Sequence, residues 1–106
     1  MRAFITGTDT GVGKTFVVAL LTRALRKAGF DTVALKPLCS GERDDVAILA
    51  EASGDTLTME EINPIWLRAA AAPSVGATLE QRPISLDALE AWFHGIAANR
   101  QSILVE

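Results

Sequence analysis

A lysine and a threonine follow a glycine near the start of the chain, and this combination can bind phosphate. The run from Ile5 to Thr15 reads ITGTDTGVGKT. Gly11 and Gly13 let the backbone pass close to phosphate oxygens, and consecutive N–H groups at the start of a helix attract an anion. Lys14 is then expected to reach the β- and γ-phosphates of a nucleotide, and the Thr15 hydroxyl to bind Mg²⁺.

The spacing of this run departs from the usual phosphate-binding loop. In the usual pattern, G-x-x-x-x-G-K-[ST], the first glycine would fall at Thr8, whereas Gly7 comes one residue earlier. The alternative is an ordinary strand-to-helix turn that happens to be rich in glycine. Because the apolar run Ala3-Phe4-Ile5 precedes the loop and an apolar-periodic segment follows it, the context favours a P-loop.

Two further charged residues follow apolar runs that are predicted strands. Lys36 closes residues 32–35, and Glu106 closes residues 102–105. Since ligands of open parallel sheets collect outside the carboxyl ends of the strands, both side chains are expected beside the glycine loop. Glu106 would be an acid on the Mg²⁺ side, and Lys36 would neutralise charge on a transferring phosphoryl group. Taken singly, each could also be a strand end that meets water.

The elements that must position these residues begin with a strand–helix–strand unit. The helix after the loop is predicted to have an apolar face made of Val17, Val18, Leu21, Ala24, Leu25 and Ala28. Gly29 is expected to end this helix. The strand over 32–35 then returns parallel to the first strand through a right-handed crossover.

The middle of the chain is less regular. Residues 38–43 are predicted as loop, and either Asp44 or Asp45 as the cap of a second helix that runs to about Ser53. Within the long stretch 55–83, the residues around Pro64 are expected to form either a short broken helix or irregular loop.

A third helix and a last strand are predicted after this stretch. Ser85 is expected to cap the helix, which runs to about Asn99. Its apolar face would consist of Leu86, Leu89, Trp92, Phe93 and Ile96. Residues 102–105 are then predicted as a buried parallel strand.

Composition limits the classes of protein that fit. With 106 residues, of which 49% are hydrophobic and 22% charged, the chain is expected to fold as one globular domain over 1–106. A net charge of −3 without a basic block argues against nucleic acid as a partner. No apolar run approaches the roughly 20 residues that span a bilayer. The single cysteine, Cys39, cannot form an internal disulfide, which fits a cytoplasmic location.

Five segments together resemble the dethiobiotin synthetase family, which carries the same shifted glycine. They are Thr6-Gly7-Thr8-Asp9-Thr10-x-Val12-Gly13-Lys14-Thr15, Lys36-Pro37-x-x-Ser40-Gly41, Asn63-Pro64, Arg82-Pro83-Ile84 and Leu104-Val105-Glu106. The second segment is the one that separates this family from other P-loop proteins of the same class. The resemblance implies an α/β fold with a P-loop NTPase-like parallel sheet and flanking helices. The chain is expected to contain the N-terminal half of that fold, truncated at its C-terminus.

The resemblance also implies a ligase of biotin biosynthesis. Enzymes of this family use ATP, Mg²⁺ and CO₂ to carboxylate 7,8-diaminononanoate and close it to dethiobiotin, with release of ADP and phosphate. A carbamate forms on one amine and attacks the γ-phosphate to give a carbamic–phosphoric anhydride. The second amine then closes the ring. The family resemblance further implies a cytoplasmic homodimer.

Residue roles follow from the resemblance by matching position. The phosphate-binding residues would be Gly11, Val12, Gly13, Lys14, Thr15 and Phe16. Asp45 and Glu106 would join Thr15 on the metal side of the nucleotide, with Asp44 left open as the alternative to Asp45. Lys36 and Lys14 would be the catalytic cations.

In the same way, Ser40 would contact the diamine together with Lys36. Two other functions stay open beside the ligase. One is a P-loop regulatory or partitioning-type ATPase that uses nucleotide as a switch. The other is an inactive nucleotide-binding fragment.

Overall fold

The computed structural model describes residues 2–6, 13–67 and 85–106. In chain order its elements are β1 Arg2–Phe4, α1 Gly13–Lys27, β2 Thr32–Leu35, β3 Leu38–Ser40, α2 Asp44–Ala52, α3 Met59–Ile62, β4 Ile65–Leu67, α4 Leu86–Ala97 and β5 Ser102–Val105. The predictions that involve Gly11, Val12 and the segment Arg82-Pro83-Ile84 lie outside the described residues.

The main sheet is parallel and has the strand order β1-β5-β2. Val105 at the end of β5 is level with Phe4 on one side and Leu35 on the other, so the three strands end at the same edge. Strands β2 and β5 are buried along their whole length, as expected for strands that are covered on both faces. The predicted parallel relation of the first two strands is confirmed, with β5 inserted between them.

A second, two-stranded parallel sheet pairs β3 with β4, and Cys39 lies opposite Trp66. The prediction of loop over 38–43 is therefore wrong for Leu38–Ser40. Three residues are too few to show the alternating pattern that predicts a strand. Leu38–Ser40 forms a strand because it pairs with Ile65–Leu67 far along the chain. The same holds for β4, which lies in the stretch for which only a broken helix or loop was predicted.

The buried face of helix α1 agrees only in part with the predicted one, since Val18 lies in the core and Leu25 packs against it. Its buried residues are Thr15, Val18, Ala19 and Thr22. Val17 and Leu21, which were assigned to the buried face, remain 48% and 43% exposed. The error arises because α1 is apolar over most of its circumference and buries two threonines. The Thr22 hydroxyl is satisfied inside the helix, where it donates to the Val18 carbonyl at 2.7 Å.

The remaining helix starts show which caps the chain uses. The N-cap of α2 is Arg43, without a side-chain hydrogen bond, so the prediction that Asp44 or Asp45 caps this helix is wrong. Both aspartates instead lie in its first turn, where negative charge suits the helix dipole.

Helices α3 and α4 have side-chain caps. In α3, Thr58 and Glu61 form a reciprocal capping box. In α4, the predicted cap is confirmed, because Ser85 accepts from the Ala88 N–H at 3.2 Å. Three residues of the predicted apolar face of α4 pack against the core, namely Trp92, Phe93 and Ile96, whereas Leu86 is 78% exposed.

The core lies between the main sheet and the helices, and it continues to the second sheet through Cys39 and Ile62. Its largest fully buried apolar side chains include Leu35, Leu49 and Leu104. Within the described ranges, none of the helices combines the length and the apolar character that crossing a bilayer would require.

Candidate functional site

The first polar contact at the carboxyl edge of the main sheet joins α1 to the end of β5. Thr15 is fully buried in the first turn of α1. Its Oγ1 lies 2.8 and 2.9 Å from the two carboxylate oxygens of Glu106, so its single proton is shared between them. The Glu106 side chain is 5% exposed. Its backbone N–H also donates to the Leu35 carbonyl at 2.9 Å, which ties it to β2.

Lys36, the first residue after β2, completes this contact from the other side. Its Nζ donates to Glu106 Oε1 at 3.2 Å and lies 3.9 Å from Asp45 Oδ2. The ammonium group is thus flanked by two carboxylates, one buried and one partly exposed. Such a buried charge needs an opposite charge and hydrogen bonds in place of water. The geometry therefore brings Thr15, Glu106, Lys36 and Asp45 together.

The same geometry distinguishes the two aspartates at the start of α2. Asp45 is partly buried and faces Lys36, whereas Asp44 is exposed and makes no ion pair with a described residue. Of the two aspartates, the contacts therefore favour Asp45 as the one that belongs to this edge.

The phosphate-loop residues are described only from Gly13 onward. A Cβ placed on Gly13 would meet no described heavy atom within 4 Å. None of the described residues therefore fills the space beside Gly13. Lys14 is partly buried, and its side chain makes no hydrogen bond or ion pair with a described residue. Phe16 is 57% exposed on the outer side of α1.

Ser40 ends β3, and its hydroxyl oxygen is shielded from solvent without a hydrogen-bond partner among the described residues. A shielded hydroxyl of this kind retains a donor and an acceptor for another group. Beside it, the Cys39 Sγ donates to the Glu42 carbonyl at 3.3 Å. Burial raises the pKa of the Cys39 thiol, although the nearby Lys36 charge acts in the opposite direction. Cys39 is thus a free, packed thiol.

Two residues to which the sequence analysis gave no role hold the backbone around this edge. Asn63 is 1% exposed and donates to the Lys36 and Pro37 carbonyls at 2.8 and 3.3 Å. Arg43 in turn donates to the Asn63 side chain and carbonyl at 3.2 and 3.1 Å. The sequence signal that could have found Asn63 is an asparagine that directly follows a helix with a capping box and precedes a proline.

The donor set at this edge suits a hard divalent cation. Mg²⁺ prefers oxygen ligands and is usually held by one or two carboxylates together with phosphate oxygens and water. The Thr15 hydroxyl and the Glu106 carboxylate already lie within hydrogen-bond distance of each other, and Asp45 provides a second carboxylate nearby. No group of three or more His, Cys, Asp or Glu side chains among the described residues could hold a metal by itself. Phosphate and water oxygens would thus have to complete such a site.

A glycine-lysine-threonine helix start beside an acidic strand end of a parallel sheet defines a P-loop α/β domain. The chain belongs to the AAA domain family, whose model matches residues 1–106.

Named relatives narrow the comparison to one kind of enzyme. The chain is 40% identical to the ATP-dependent dethiobiotin synthetase BioD of Akkermansia muciniphila, over 100% of this chain and 50% of that protein. It is 43% identical to BioD of Anaeromyxobacter dehalogenans, over 97% and 48%. It is 34% identical to BioD of Methanococcus vannielii, over 97% and 49%. The chain spans about half the length of these relatives, and the matches confirm the resemblance to dethiobiotin synthetases.

Proposed function

We propose that this chain binds ATP and Mg²⁺ and takes part in dethiobiotin synthesis, the carboxylation and ring closure of 7,8-diaminononanoate with CO₂. The observation that carries the proposal is the contact series Thr15–Glu106–Lys36 at the carboxyl edge of the main sheet. It supports the proposal because a hydroxyl, a carboxylate and an ammonium group meet beside the helix that follows the phosphate loop. The printed names of the relatives, ATP-dependent dethiobiotin synthetases, agree with it.

The proposed residue roles follow from charge. The N–H groups of residues 11–16 and the Lys14 ammonium would bind the phosphates. Thr15, Asp45 and Glu106 would hold Mg²⁺, which when bound neutralises charge on the β- and γ-phosphates.

The proposed reaction brings one anion to another. A substrate carbamate attacks the γ-phosphate, so cations on both sides of the reacting atoms are needed to offset the repulsion. Lys36 lies at the edge of the sheet where it would meet the carbamate, and Lys14 would approach the phosphate from α1. The carbamic–phosphoric anhydride then forms as the bond between the γ-phosphorus and ADP breaks and ADP leaves. Attack by the second amine on the carbonyl carbon of the anhydride closes the ring and expels phosphate. The shielded Ser40 hydroxyl would orient the diamine, since it retains hydrogen-bonding capacity.

The wider setting is also part of the proposal. We expect the active form to be a homodimer in the cytoplasm, acting on small molecules and not on nucleic acid or membranes. The absence of a basic block supports the expectation that nucleic acid is not a partner. The single free cysteine supports the cytoplasmic location.

A phosphate-release assay tests the proposal. The chain is incubated with ATP, Mg²⁺ and bicarbonate, with and without 7,8-diaminononanoate, and released phosphate and dethiobiotin are measured. We expect phosphate release to require the diamine and to match dethiobiotin formed. Diamine-independent hydrolysis would instead indicate a regulatory ATPase, and nucleotide binding without hydrolysis would indicate an inactive fragment. Either result would contradict the proposal.

Three lysine variants separate binding from chemistry. Lys14→Ala is expected to abolish phosphate binding. Lys36→Ala is expected to leave ATP affinity nearly unchanged and to lower turnover about 100-fold or more, the usual effect of removing one group that stabilises transition-state charge. Lys27→Ala is the matched control, because Lys27 is exposed and lies in the last turn of α1, the helix that begins beside Lys14. It should change neither ATP affinity nor turnover. If the effects of Lys14→Ala and Lys36→Ala were exchanged, the role assignment would be wrong.

A further inference from the structure

Asn63 uses both the donor and the acceptor of its side chain, although it lies outside the predicted site. Its Nδ2 lies 2.8 Å from the Lys36 carbonyl, 3.1 Å from the Ile65 carbonyl and 3.3 Å from the Pro37 carbonyl. Its Oδ1 accepts from Arg43 Nε at 3.2 Å. Because carbonyls surround the nitrogen and a guanidinium faces the oxygen, only one orientation of the carboxamide satisfies these groups.

These contacts fix the backbone from which the Lys36 side chain projects. Between the end of β2 and the start of β3 the chain has only Lys36 and Pro37, and proline has no N–H to donate. The Lys36 N–H donates to the Ile62 carbonyl and the Pro37 carbonyl accepts from Ile65 N–H. The Asn63 side chain adds a third hydrogen bond to this turn, because its Nδ2 donates to the Lys36 carbonyl. The position of the Lys36 Cα is thus set from the segment around Asn63.

The other side of Asn63 fixes the start of α2. Arg43 contacts Asn63 through both Nε and Nη2, and its guanidinium lies 4.6 Å from the centre of the Trp66 ring. The Arg43 side chain is 16% exposed. Arg43 is also the N-cap of α2, and Asp45 lies two residues further on. Asn63 therefore connects the backbone of Lys36 to the backbone that carries Asp45.

We propose that Asn63 is a positioning residue that sets the distance between the Lys36 ammonium and the Asp45 carboxylate. It acts through the backbone at Lys36 and through Arg43, without contact to the reacting atoms. This inference rests on the proposed function, in which both groups face the substrates. Loss of the carboxamide frees the Lys36 turn to move, and a displacement of about 1 Å can lower a reaction rate up to 100-fold.

The test compares Asn63→Ala and Asn63→Asp with a control of similar burial. Aspartate keeps the shape and the acceptor for Arg43 but loses the donor to the three carbonyls. Ser53→Ala is the matched control, because Ser53 is fully buried and also binds β2, where its Oγ accepts from Ala34 N–H at 3.0 Å. All three variants are expected to unfold at lower urea concentration than the parent chain.

Turnover per folded molecule is the measurement that separates positioning from stability. At saturating ATP, we expect both Asn63 variants to lower diamine-dependent turnover about 10- to 100-fold, with the ATP dissociation constant within threefold of the parent value. Ser53→Ala should retain parental turnover. In a Lys36→Ala background, Asn63→Ala should cause a smaller loss than in the parent chain, because the part of its effect that passes through Lys36 is already absent and only the part that passes through Arg43 remains. Parental turnover in Asn63→Ala, or a loss that multiplies with that of Lys36→Ala, would overturn the inference.

A second measurement does not depend on turnover, so it distinguishes failure of this inference from failure of the proposed function. Lysines of the folded chain are acylated with a limiting amount of an N-hydroxysuccinimide ester, and the modified peptides are quantified by mass spectrometry. We expect Asn63→Ala to raise acylation of Lys36 at least threefold relative to the exposed Lys27, and Ser53→Ala to leave this ratio unchanged. If the parent chain had no turnover but Asn63→Ala still raised acylation of Lys36, the proposed function would be rejected and the positioning role would stand. An unchanged Lys36 ratio in Asn63→Ala would reject the positioning role.

Discussion

The ion pair between Lys36 and Glu106 gives the sharpest prediction about this site. Without Glu106, Lys36 still has Asp45 as an anionic partner, whereas without Lys36 the Glu106 carboxylate has no cation among the described residues, so the two losses of unfolding free energy should differ. Their charged atoms lie 3.2 Å apart, and the side chains are 19% and 5% exposed. At an effective dielectric constant of about 20, this separation corresponds to an attraction of about 5 kcal/mol before any desolvation cost is subtracted. Desolvation consumes much of this attraction.

The two single variants should differ in severity. Lys36→Met leaves the Glu106 carboxylate buried with the Thr15 hydroxyl but without a cation, and we expect a loss of about 3 kcal/mol in unfolding free energy. Glu106→Gln leaves Lys36 with Asp45 at 3.9 Å and keeps an acceptor for Thr15, so we expect a loss of about 1 kcal/mol.

The double variant should be more stable than Lys36→Met alone. A neutral glutamine needs no cation, so adding Glu106→Gln relieves the cost that Lys36→Met creates. We expect the double variant to lose about 2 kcal/mol, which corresponds to a coupling of about 2 kcal/mol. Urea unfolding followed by tryptophan fluorescence measures all four free energies.

The exposed pair Arg23–Glu51 is the control for this cycle. Its atoms are separated by a similar 3.4 Å, but the side chains are 47% and 73% exposed. The same cycle at this pair should give a coupling of at most about 0.5 kcal/mol. If the two couplings were equal, or if the Lys36 and Glu106 losses simply added, burial would not be the source of the interaction and the reasoning would fail.

Three further predictions concern the fold. Val18→Ala should lower the unfolding free energy by about 2 kcal/mol, while the adjacent Val17→Ala should stay within about 0.5 kcal/mol of the parent; equal losses in urea unfolding would reject the observed buried face of α1. Thr58→Ala should cost about 1 kcal/mol through loss of the capping box in the same measurement, and no loss would mean that the cap does not act in solution. Because burial raises the pKa of Cys39 above its ordinary value of 9.0, stability should fall as pH rises above 9.0, where the unfolded chain gives up the thiol proton first. Cys39→Ala should show a smaller fall over this range, and an identical pH profile would contradict the expectation.

The strands of the main sheet could be predicted from the sequence because each combines several local signals. The run 102–105 is apolar after its first residue and ends in an acid, and the run 32–35 ends at a lysine before a proline. Both strands form as expected, and Lys36 and Glu106 meet at their ends. Their meeting follows from a general rule about parallel strands, and so it required no knowledge of the side-chain packing.

The second sheet could not be predicted, since neither of its strands has a local pattern. Strands β3 and β4 contain three residues each and become strands by pairing with one another across α2 and α3. The predicted apolar face of α1 was only partly right for a related reason. Hydrophobicity favoured Val17 and Leu21, whereas packing selected Thr15 and Thr22, whose hydroxyls find acceptors inside the protein. Burial of a polar residue depends on its partner, and the partner is not visible in the sequence nearby.

The contacts around Asn63 and Glu106 also determine how loss of function in this chain has to be interpreted. Lys36 is bound through its backbone to Asn63 and through its side chain to Glu106, so it belongs both to the candidate site and to the link between the two sheets. A variant at any of these positions will therefore change stability as well as chemistry. Catalytic loss can be assigned only after correction for the folded fraction, which is why the Ser53 control matters. If turnover among all the variants simply followed the unfolding free energy, the polar contacts at this edge would be structural, and the roles proposed for Lys36 and Asn63 would have to be abandoned.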